Sequence, residues 1–224
     1  MTPPTEATIL VCFAVPEEAA PFRQTIAPNR PDSPLDLLVT GMGAANARRG
    51  LLDALQTRAM APKLVLTCGF AGGLDPALPR GTVVHDADPE AGLATVLTHA
   101  GSRPGAFHCA TRVAVTPREK ADLRRATGAD VVEMESAVIR QLCRQRGIPS
   151  ATVRVISDAA GDALPVDFNQ LMTPDMKLHF GKLAACLIRS PGSIPGLLRL
   201  RRHTLDAAQR LAVVLTATCQ ALGT

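Results

Sequence analysis

The sequence predicts an α/β fold in three layers, with a central mixed, mostly parallel twisted sheet between two layers of helices (αβα). Strand-like runs rich in β-branched and other apolar residues alternate with helix-like runs along most of the chain, as is typical of a parallel sheet covered by helices on both faces. Several of these runs are apolar nearly throughout, which is expected for strands buried on both sides. A chain of 224 residues is long enough to bury the large core that such a domain requires.

The strand-like runs share high β propensity and end at turn-forming residues. They cover residues 8–15, 35–42, 63–70, 81–88, 107–116, 130–135 and 152–159. The region 81–116 differs from the others because its strand-like runs follow one another with only turns between them. We therefore expect mixed or antiparallel pairing there.

The helix-like runs lie between many of the strands, at residues 16–26, 44–58, 117–127 and 136–146. The helix at 117–127 has the clearest start: Thr116 suits the N-cap, Pro117 suits the first helical position, and Glu119 completes a capping box. Residues 160–175 are predicted to form a loop. The chain from 1 to 224 is predicted to be a single domain with a C-terminal helical cap at about 175–224, in which helices at 175–189 and 203–222 are joined by the turn-rich sequence SPGSIPG.

Composition excludes several classes of protein. Trp and Tyr are absent and the formal net charge is only +4, so we expect no nucleic-acid partner, because single strands are bound by stacking on aromatic side chains. The six cysteines are scattered without a CxxC pair, the five histidines lack metal-ligand spacing, and the N-terminus does not resemble a signal peptide. We therefore expect a reduced, cytoplasmic protein without a metal or cofactor.

Unusual residues follow five predicted strands, where an open α/β sheet binds its ligands. Glu18 follows the first, TGMGAAN the second and CGFAGGL the third, while EMES with Glu135 and ISDAAGD with Asp158 follow two late strands. Each acid alone has a structural explanation, as a first-turn carboxylate or an Asx turn. Burial of a carboxylate at a strand–helix seam such as Glu135 requires a partner or a ligand.

The glycines of TGMGAAN allow three interpretations. Gly41 and Gly43 match a dinucleotide-binding loop only weakly, because the pattern is GxGxxN and the next strand does not end in the acid that binds a ribose. The other interpretations are a tight strand-to-helix turn and a backbone cradle for an anion at a helix N-terminus.

In combination and in this order, the motifs AVPEEAAPF, TGMGAANA, CGFAGGLDPALPRGTVV, GADVVEMESAVI and VRVISDAAGD resemble the nucleoside phosphorylase superfamily, particularly 5′-methylthioadenosine/S-adenosylhomocysteine nucleosidases. The resemblance covers most of residues 8–160. The phrase RATGADVVEMES, the short middle region and the Pro-rich tail resemble the hopanoid-associated phosphorylase subgroup, whose enzymes are linked to removal of adenine from adenosylhopane.

The resemblance implies a role for each matching residue. It implies that Glu18 activates water, that Met134 and Glu135 hold the ribose, and that Asp158, positioned by Ser157, protonates the purine at N7. Asp158 would then be protonated near neutral pH because of apolar surroundings. Further binding residues that we expect at the site are Val115 near the base, Phe70 and Gly72 in the third-strand motif, and Gly41, Gly43 and Thr67 around the nucleophile or a phosphate. Glu133, two residues before Glu135, is expected to face the opposite side of the sheet in a structural role.

Two fates of the glycosidic bond remain open. Related phosphorylases hold phosphate with arginines, one of them near the third-strand motif, and the stretch KLVLTCG has none, which favours water. Phosphate as a co-substrate remains an alternative, held by Thr67, the Gly41–Gly43 turn and Arg48 or Arg49. A nucleoside-binding protein without catalysis is the third hypothesis.

The tail and the assembly give two further expectations. The sequence IPGLLRLRRH, residues 194–203, interleaves apolar and basic residues, which suits either a helix packed on the domain or peripheral contact with anionic lipid. The family resemblance implies a homodimer.

Overall fold

A computed structural model describes residues 8–26, 35–89 and 92–223 of the chain. Its strands are β1 Ile9–Phe13, β2 Leu35–Val39, β3 Leu64–Gly73, β4 Val83–Ala87, β5 Arg103–Pro104, β6 Phe107–Cys109, β7 Val131–Glu133 and β8 Ser150–Asp158. Its helices are α1 Pro16–Ile26, α2 Ala44–Gln56, α3 Leu93–His99, α4 Pro117–Thr127, α5 Ser136–Gln145, α6 Phe168–Leu171, α7 Phe180–Arg189 and α8 Ile194–Ala221.

The eight strands form one mixed sheet whose main path runs β2-β1-β3-β8-β4-β5. Neighbouring strands from β2 to β8 are parallel, whereas β4 pairs with β8 in the antiparallel sense. The long strand β3 also pairs with β7, antiparallel, through Gly72 and Gly73. The predicted mixed, mostly parallel sheet is confirmed.

Alternating side chains of the central strands enter two separate cores. Ile9, Val11 and Phe13 of β1 pack with residues of α1, α3 and α8 on one face. Leu10 and Cys12 pack with residues of α2 and α5 on the other. This alternation follows from the pleat of a strand, and it produces the predicted three layers.

The region between β4 and α4 departs from the prediction of successive strands. Helix α3, Leu93–His99, separates β4 from β5, and the predicted strand 107–116 is reduced to β6, Phe107–Cys109. Leu93 and Leu97 lie one turn apart on α3 and are buried in the core beside α8, so a short amphipathic helix lies where the sequence predicted only a turn.

The C-terminal helices also differ from the prediction. Helix α8 begins at Ile194 with a proline in its first turn, so residues expected in the SPGSIPG connector are helical. The single-turn helix α6 interrupts the predicted 160–175 loop. The second half of α8 lies in the core of the sheet, where Leu211 and Leu215 are fully buried. Within the described residues, no helix is both long and apolar enough to cross a bilayer.

The start of α4 matters for function because it sets the position of Lys120, one turn further on. The Thr116 hydroxyl accepts the Glu119 N–H, and the Glu119 carboxylate accepts the Thr116 N–H, so the predicted capping box is present.

We expect Thr116→Ala to lower the free energy of unfolding by about 1 kcal/mol, because it removes the cap. Urea denaturation measures the loss, with Thr95→Ala on the exposed face of α3 as the control. Equal stability of the two variants would contradict the capping role.

Candidate active site

A cavity of about 260 Å³ lies where the carboxyl ends of β1, β3 and β8 meet the end of β7. Its walls include the three acids that the sequence predicted would converge, Glu18, Glu135 and Asp158. Each is at most 9% exposed. Of the other predicted site residues, Phe70, Gly72, Met134 and Ser157 also line this cavity.

Glu18 projects from the first turn of α1 into a ring of backbone donors. Its Oε2 accepts the N–H groups of Ala14 and Val15 at 2.9 and 3.2 Å, and its Oε1 accepts the Phe70 N–H at 2.8 Å. The side chain is thereby fixed between the end of β1 and the middle of β3. Burial raises the pKa of Glu18 to about 7, although nearby Arg154 and the Phe70 N–H oppose the shift. Glu18 can therefore exchange a proton near neutral pH.

Arg154 lies in the middle of β8 and is 1% exposed. Its Nη2 donates to Glu133 Oε2 at 2.9 Å and to Glu135 Oε2 at 3.1 Å, and the charge of Glu18 also acts on it. A buried guanidinium is costly without such partners. Three carboxylates thus share one cation at this end of the cavity.

Gly69 makes room for this cluster because it pairs directly with Arg154 across β3 and β8. A Cβ at position 69 would lie 2.5 Å from Arg154 Nη1 and 2.6 Å from Glu18 Oε1. The residue also has a φ of +147°, which side chains disfavour. Glycine is therefore required here for both space and backbone conformation.

Glu133 does not face away from the site, and that prediction was wrong. Residues two apart in an extended chain share a face, so the alternation of a strand does not separate Glu133, at the end of β7, from Glu135, and both side chains reach Arg154. Glu133 Oε2 also accepts the N–H groups of Glu135 and Ser136 at the start of α5. Burial opposes its ionisation, but Arg154 and these donors outweigh burial and lower its pKa. Its structural role stands, as the cap of α5.

Glu135 already has protein partners, so a sugar is not needed to satisfy it at the strand–helix seam. Its Oε1 accepts the Gly43 N–H at 2.8 Å, and its Oε2 accepts Arg154. Glu135 and Met134 nevertheless line the cavity. Carboxylate oxygens have further lone pairs, so Glu135 can still accept a hydroxyl of a bound ligand.

The residues predicted to surround the nucleophile or a phosphate, Gly41, Gly43 and Thr67, do not line the cavity. The Gly43 N–H is bound to Glu135, and the Gly41 N–H donates to the Ala14 carbonyl. Thr67 is buried with its hydroxyl 3.3 Å from Arg154 Nη2. None of these three residues lines the cavity. Arg48 and Arg49, the other expected phosphate ligands, are exposed on α2.

Asp158 lies at the opposite end of the cavity, in an ion pair that sequence reasoning missed. The Lys120 ammonium, on α4, is fully buried and donates to Asp158 Oδ2 at 2.5 Å. It also donates to the carbonyls of Ala159 and Asp162 at 2.7 and 3.0 Å. The Ser157 hydroxyl lies 2.7 Å from Asp158 Oδ1. The prediction that Asp158 has apolar surroundings is therefore wrong, because a cation is its immediate neighbour.

Val115 is not a wall of the cavity, although the preceding residues Val113 and Ala114 are. Its N–H donates to Glu119 and its carbonyl accepts the Leu164 N–H. Val115 therefore directly follows the segment 112–114, which lines the cavity.

Arg154 and Lys120 were not identified as site residues from the sequence. The two residues differ in how visible they are in it. Arg154 was visible as a lone charge inside the otherwise apolar run TVRVIS. Lys120 lies in an unremarkable charged helix, and only the docking of α4 buries it. Apolar walls from distant segments, Met42, Phe168, Met172 and Leu200, also lacked a local signal.

A larger surface cavity of about 770 Å³ lies between the segment around Arg80 and the side of α8 bearing Arg210. It contains none of Glu18, Glu135 and Asp158, so we assign the site to the smaller cavity, where the acids converge. In residues 8–26, 35–89 and 92–223 no group of three or more His, Cys, Asp or Glu side chains is placed to hold a metal ion.

Comparison with known proteins agrees with the family resemblance found in the sequence. A sequence model of the Phosphorylase superfamily matches residues 86–189. A 5′-methylthioadenosine/S-adenosylhomocysteine nucleosidase of Anoxybacillus flavithermus is 28% identical over 234 aligned positions, which cover 80% of this chain and 97% of that protein.

Two solved structures share the fold over almost their whole length. A futalosine hydrolase mutant of Helicobacter pylori superimposes with a TM-score of 0.70 at 15% identity, covering 96% of this chain and 100% of the other. The 5′-methylthioadenosine/S-adenosylhomocysteine nucleosidase of Helicobacter pylori with butyl-thio-DADMe-Immucillin-A gives 0.69 at 16% identity, covering 97% and 99%. These comparisons confirm the resemblance to the nucleoside phosphorylase superfamily and the three-layer fold.

Lys120→Met tests the buried ion pair. We expect it to lower the free energy of unfolding by about 3–5 kcal/mol, because Asp158 is left without its cation in a buried position. The double variant Lys120→Met/Asp158→Asn should lose less, since it removes both charges, and urea denaturation of the singles and the double measures the coupling. Additive losses would show that the two side chains do not interact.

Gly69→Ala tests the crowding around Arg154. We expect a loss of about 1–3 kcal/mol or more in the free energy of unfolding, because the new methyl group overlaps Arg154 and Glu18. Gly161→Ala is the matched control, since a Cβ there meets nothing within 4 Å. Unchanged stability of the position-69 variant would contradict the packing described.

Proposed function

We propose that this nucleoside phosphorylase-like chain is a purine nucleosidase that cleaves the N-glycosidic bond of a 5′-modified adenosine, with water as the nucleophile and adenine as a product. The curated relative of 28% identity supports hydrolysis of a nucleoside. The observation that carries the proposal is the sharing of Arg154 by Glu18, Glu133 and Glu135 at the end of the cavity opposite Asp158.

The charge of that cluster favours water over phosphate. With Glu18 ionised, the three carboxylates exceed the single guanidinium by two negative charges, and a phosphate dianion would be repelled. The backbone donors that could have cradled phosphate are bound to Glu135 and Ala14. A neutral water molecule meets neither obstacle, and Glu18 can accept its proton.

We assign protonation of the base to one end of the cavity and activation of water to the other. As the bond from C1′ to the base breaks, its electron pair moves to the base. Asp158 gives a proton to N7 of the base, and the Lys120 ammonium, which is hydrogen-bonded to Asp158, passes its own proton to that carboxyl group. The hydroxyl of water forms the new bond to C1′, and Glu18 takes the remaining proton. Glu135 lies near the sugar with Met134, so its negative charge can stabilise the positive charge that develops on the sugar ring.

The apolar walls support a hydrophobic 5′ group. Met42, Met134, Phe168, Met172 and Leu200 all line the cavity, and methionine side chains adapt to varied apolar shapes. A substrate of the adenosylhopane kind, which the resemblance to the hopanoid-associated subgroup implies, would place its hydrocarbon against them. We further propose a cytoplasmic location, which the scattered cysteines favour, and a homodimer, which the resemblance implies. Light scattering measures the assembly.

A product assay tests the function directly. We expect adenine to be released from adenosines with apolar 5′ groups at the same rate with and without phosphate, because the nucleophile is water. Chromatography of the base and of the sugar product distinguishes the outcomes. Free sugar supports hydrolysis, sugar 1-phosphate with strict phosphate dependence would establish phosphorolysis, and tight binding without any product would indicate a binding protein.

Asp158→Asn tests the leaving-group end. We expect kcat to fall by about 10²–10⁴-fold, the contribution of a well-placed general acid, with the fold retained. Asp122→Asn, on the exposed face of α4, is the control for loss of one carboxylate. A near-normal rate for the position-158 variant would remove Asp158 from the acid role.

The raised pKa of Glu18 predicts how kcat/KM depends on pH. Because the pKa of Glu18 is raised to about 7, the group is protonated and unable to accept a proton at lower pH. The value of kcat/KM should therefore rise about tenfold per pH unit below pH 7 and level off above it. Glu18→Gln should abolish this limb together with most activity, whereas Glu17→Gln, an exposed neighbour, should retain both. An unchanged acid limb in Glu18→Gln would contradict the assignment.

A further inference from the structure

The segment from Met176 to Leu205 concentrates positive charge. It contains six lysines and arginines and no aspartate or glutamate, whereas the whole chain has a formal net charge of +4. The other 194 residues therefore carry a net charge of −2. The basic residues are Lys177, Lys182, Arg189, Arg199, Arg201 and Arg202, and all six are exposed.

The same segment exposes large apolar side chains. Phe180 and Ile188 of α7 are 77% and 81% exposed, and Leu198 of α8 is 54% exposed. None of the residues of α7 is buried. A helix that is packed on its domain buries its apolar face, and α7 does not.

On α8 three exposed apolar residues and one arginine occupy one face. Ile194, Leu198, Arg201 and Leu205 are exposed and are spaced four, seven and eleven residues from the first, which places them along one side of a helix. Leu200 and Thr204 point to another side and line the active-site cavity. The exposed face thus lies on a different side of α8 from the two residues that line the cavity.

We propose that residues 176–205 form a surface that docks on an anionic lipid bilayer. The apolar side chains enter the headgroup region, and the basic side chains meet the negative headgroups. Docking would hold the cavity, through Leu200 and Thr204, beside the membrane. The proposal rests on exposure and charge, and it stands independently of the reaction catalysed.

Two other occupants fit this face less well. A second copy of the chain in an isologous contact would bring the same six positive charges against each other without an acid between them, which is unfavourable. Nucleic acid would satisfy the charges, but the segment contains one aromatic residue, Phe180, and the chain lacks Trp and Tyr, whereas single strands are bound by stacking on several aromatic rings.

Co-sedimentation of the full chain with vesicles tests the proposal. We expect binding to vesicles of phosphatidylcholine with phosphatidylglycerol and little binding to phosphatidylcholine alone. Raising NaCl to about 1 M, where the Debye length is about 3 Å, should release most of the protein. Equal binding to both vesicle types, or no binding to the anionic ones, would overturn the proposal.

Variants locate the surface. Arg201→Glu/Arg202→Glu should weaken binding to the anionic vesicles by at least about tenfold, and Phe180→Ser/Ile188→Ser should weaken it at any salt concentration. The control Arg48→Glu/Arg118→Glu changes the net charge equally at exposed positions on α2 and α4 and should bind normally. Unfolding midpoints show that each variant is folded.

Three results would reject this surface. The control could lose binding as much as the Arg201/Arg202 variant, which would leave only a general charge effect. Light scattering could show that Phe180→Ser/Ile188→Ser converts a dimer to a monomer, which would assign the face to a second copy. A gel shift of DNA or RNA that depends on Arg201 and Arg202, without vesicle binding, would assign it to nucleic acid.

Discussion

The catalytic end of the molecule depends on the ion pairs of Arg154. A single guanidinium, buried in the middle of β8, compensates Glu133 and Glu135 and acts on Glu18. Removal of water makes each of these charges costly alone, so the strand, the turn before α5 and the first turn of α1 must keep their relative positions. Gly69 is constrained for the same reason, since its missing side chain leaves the space that Arg154 and Glu18 occupy.

The two ends of the cavity therefore differ in charge balance. Around Arg154 negative charge is in excess, which suits activation of a neutral water and stabilises a positively charged sugar. Around Asp158 the single carboxylate is matched by the Lys120 ammonium at 2.5 Å, which suits delivery of a proton to the departing base. The substrate is proposed to span this difference, with its bond to be broken between the two clusters.

Helix α8 links the core, the cavity and the outer surface. Its second half packs into the sheet's core through Leu211 and Leu215, its middle lines the cavity through Leu200 and Thr204, and its first turns expose Ile194 and Leu198 beside arginines. The rigidity of the buried half fixes the position of the other two parts. A ligand and a membrane would thus be held by two different sides of one helix.

The sequence by itself determined the layers, the parallel core of the sheet and the meeting of Glu18 and Asp158 at the ends of parallel strands, because apolar periodicity and the order of strand ends can be read locally. It did not determine how Glu135 comes to join them, because Glu135 follows β7, which is antiparallel to β3. It could not show that Lys120 pairs with Asp158, or that Glu133 and Glu135 share Arg154, since these partners are 38, 21 and 19 residues apart. Helix α3 and the exposure of the predicted helix α7 also escaped prediction, because a short apolar pattern does not reveal what it packs against. Those partnerships depend on how the elements dock, and only the tertiary structure decided them.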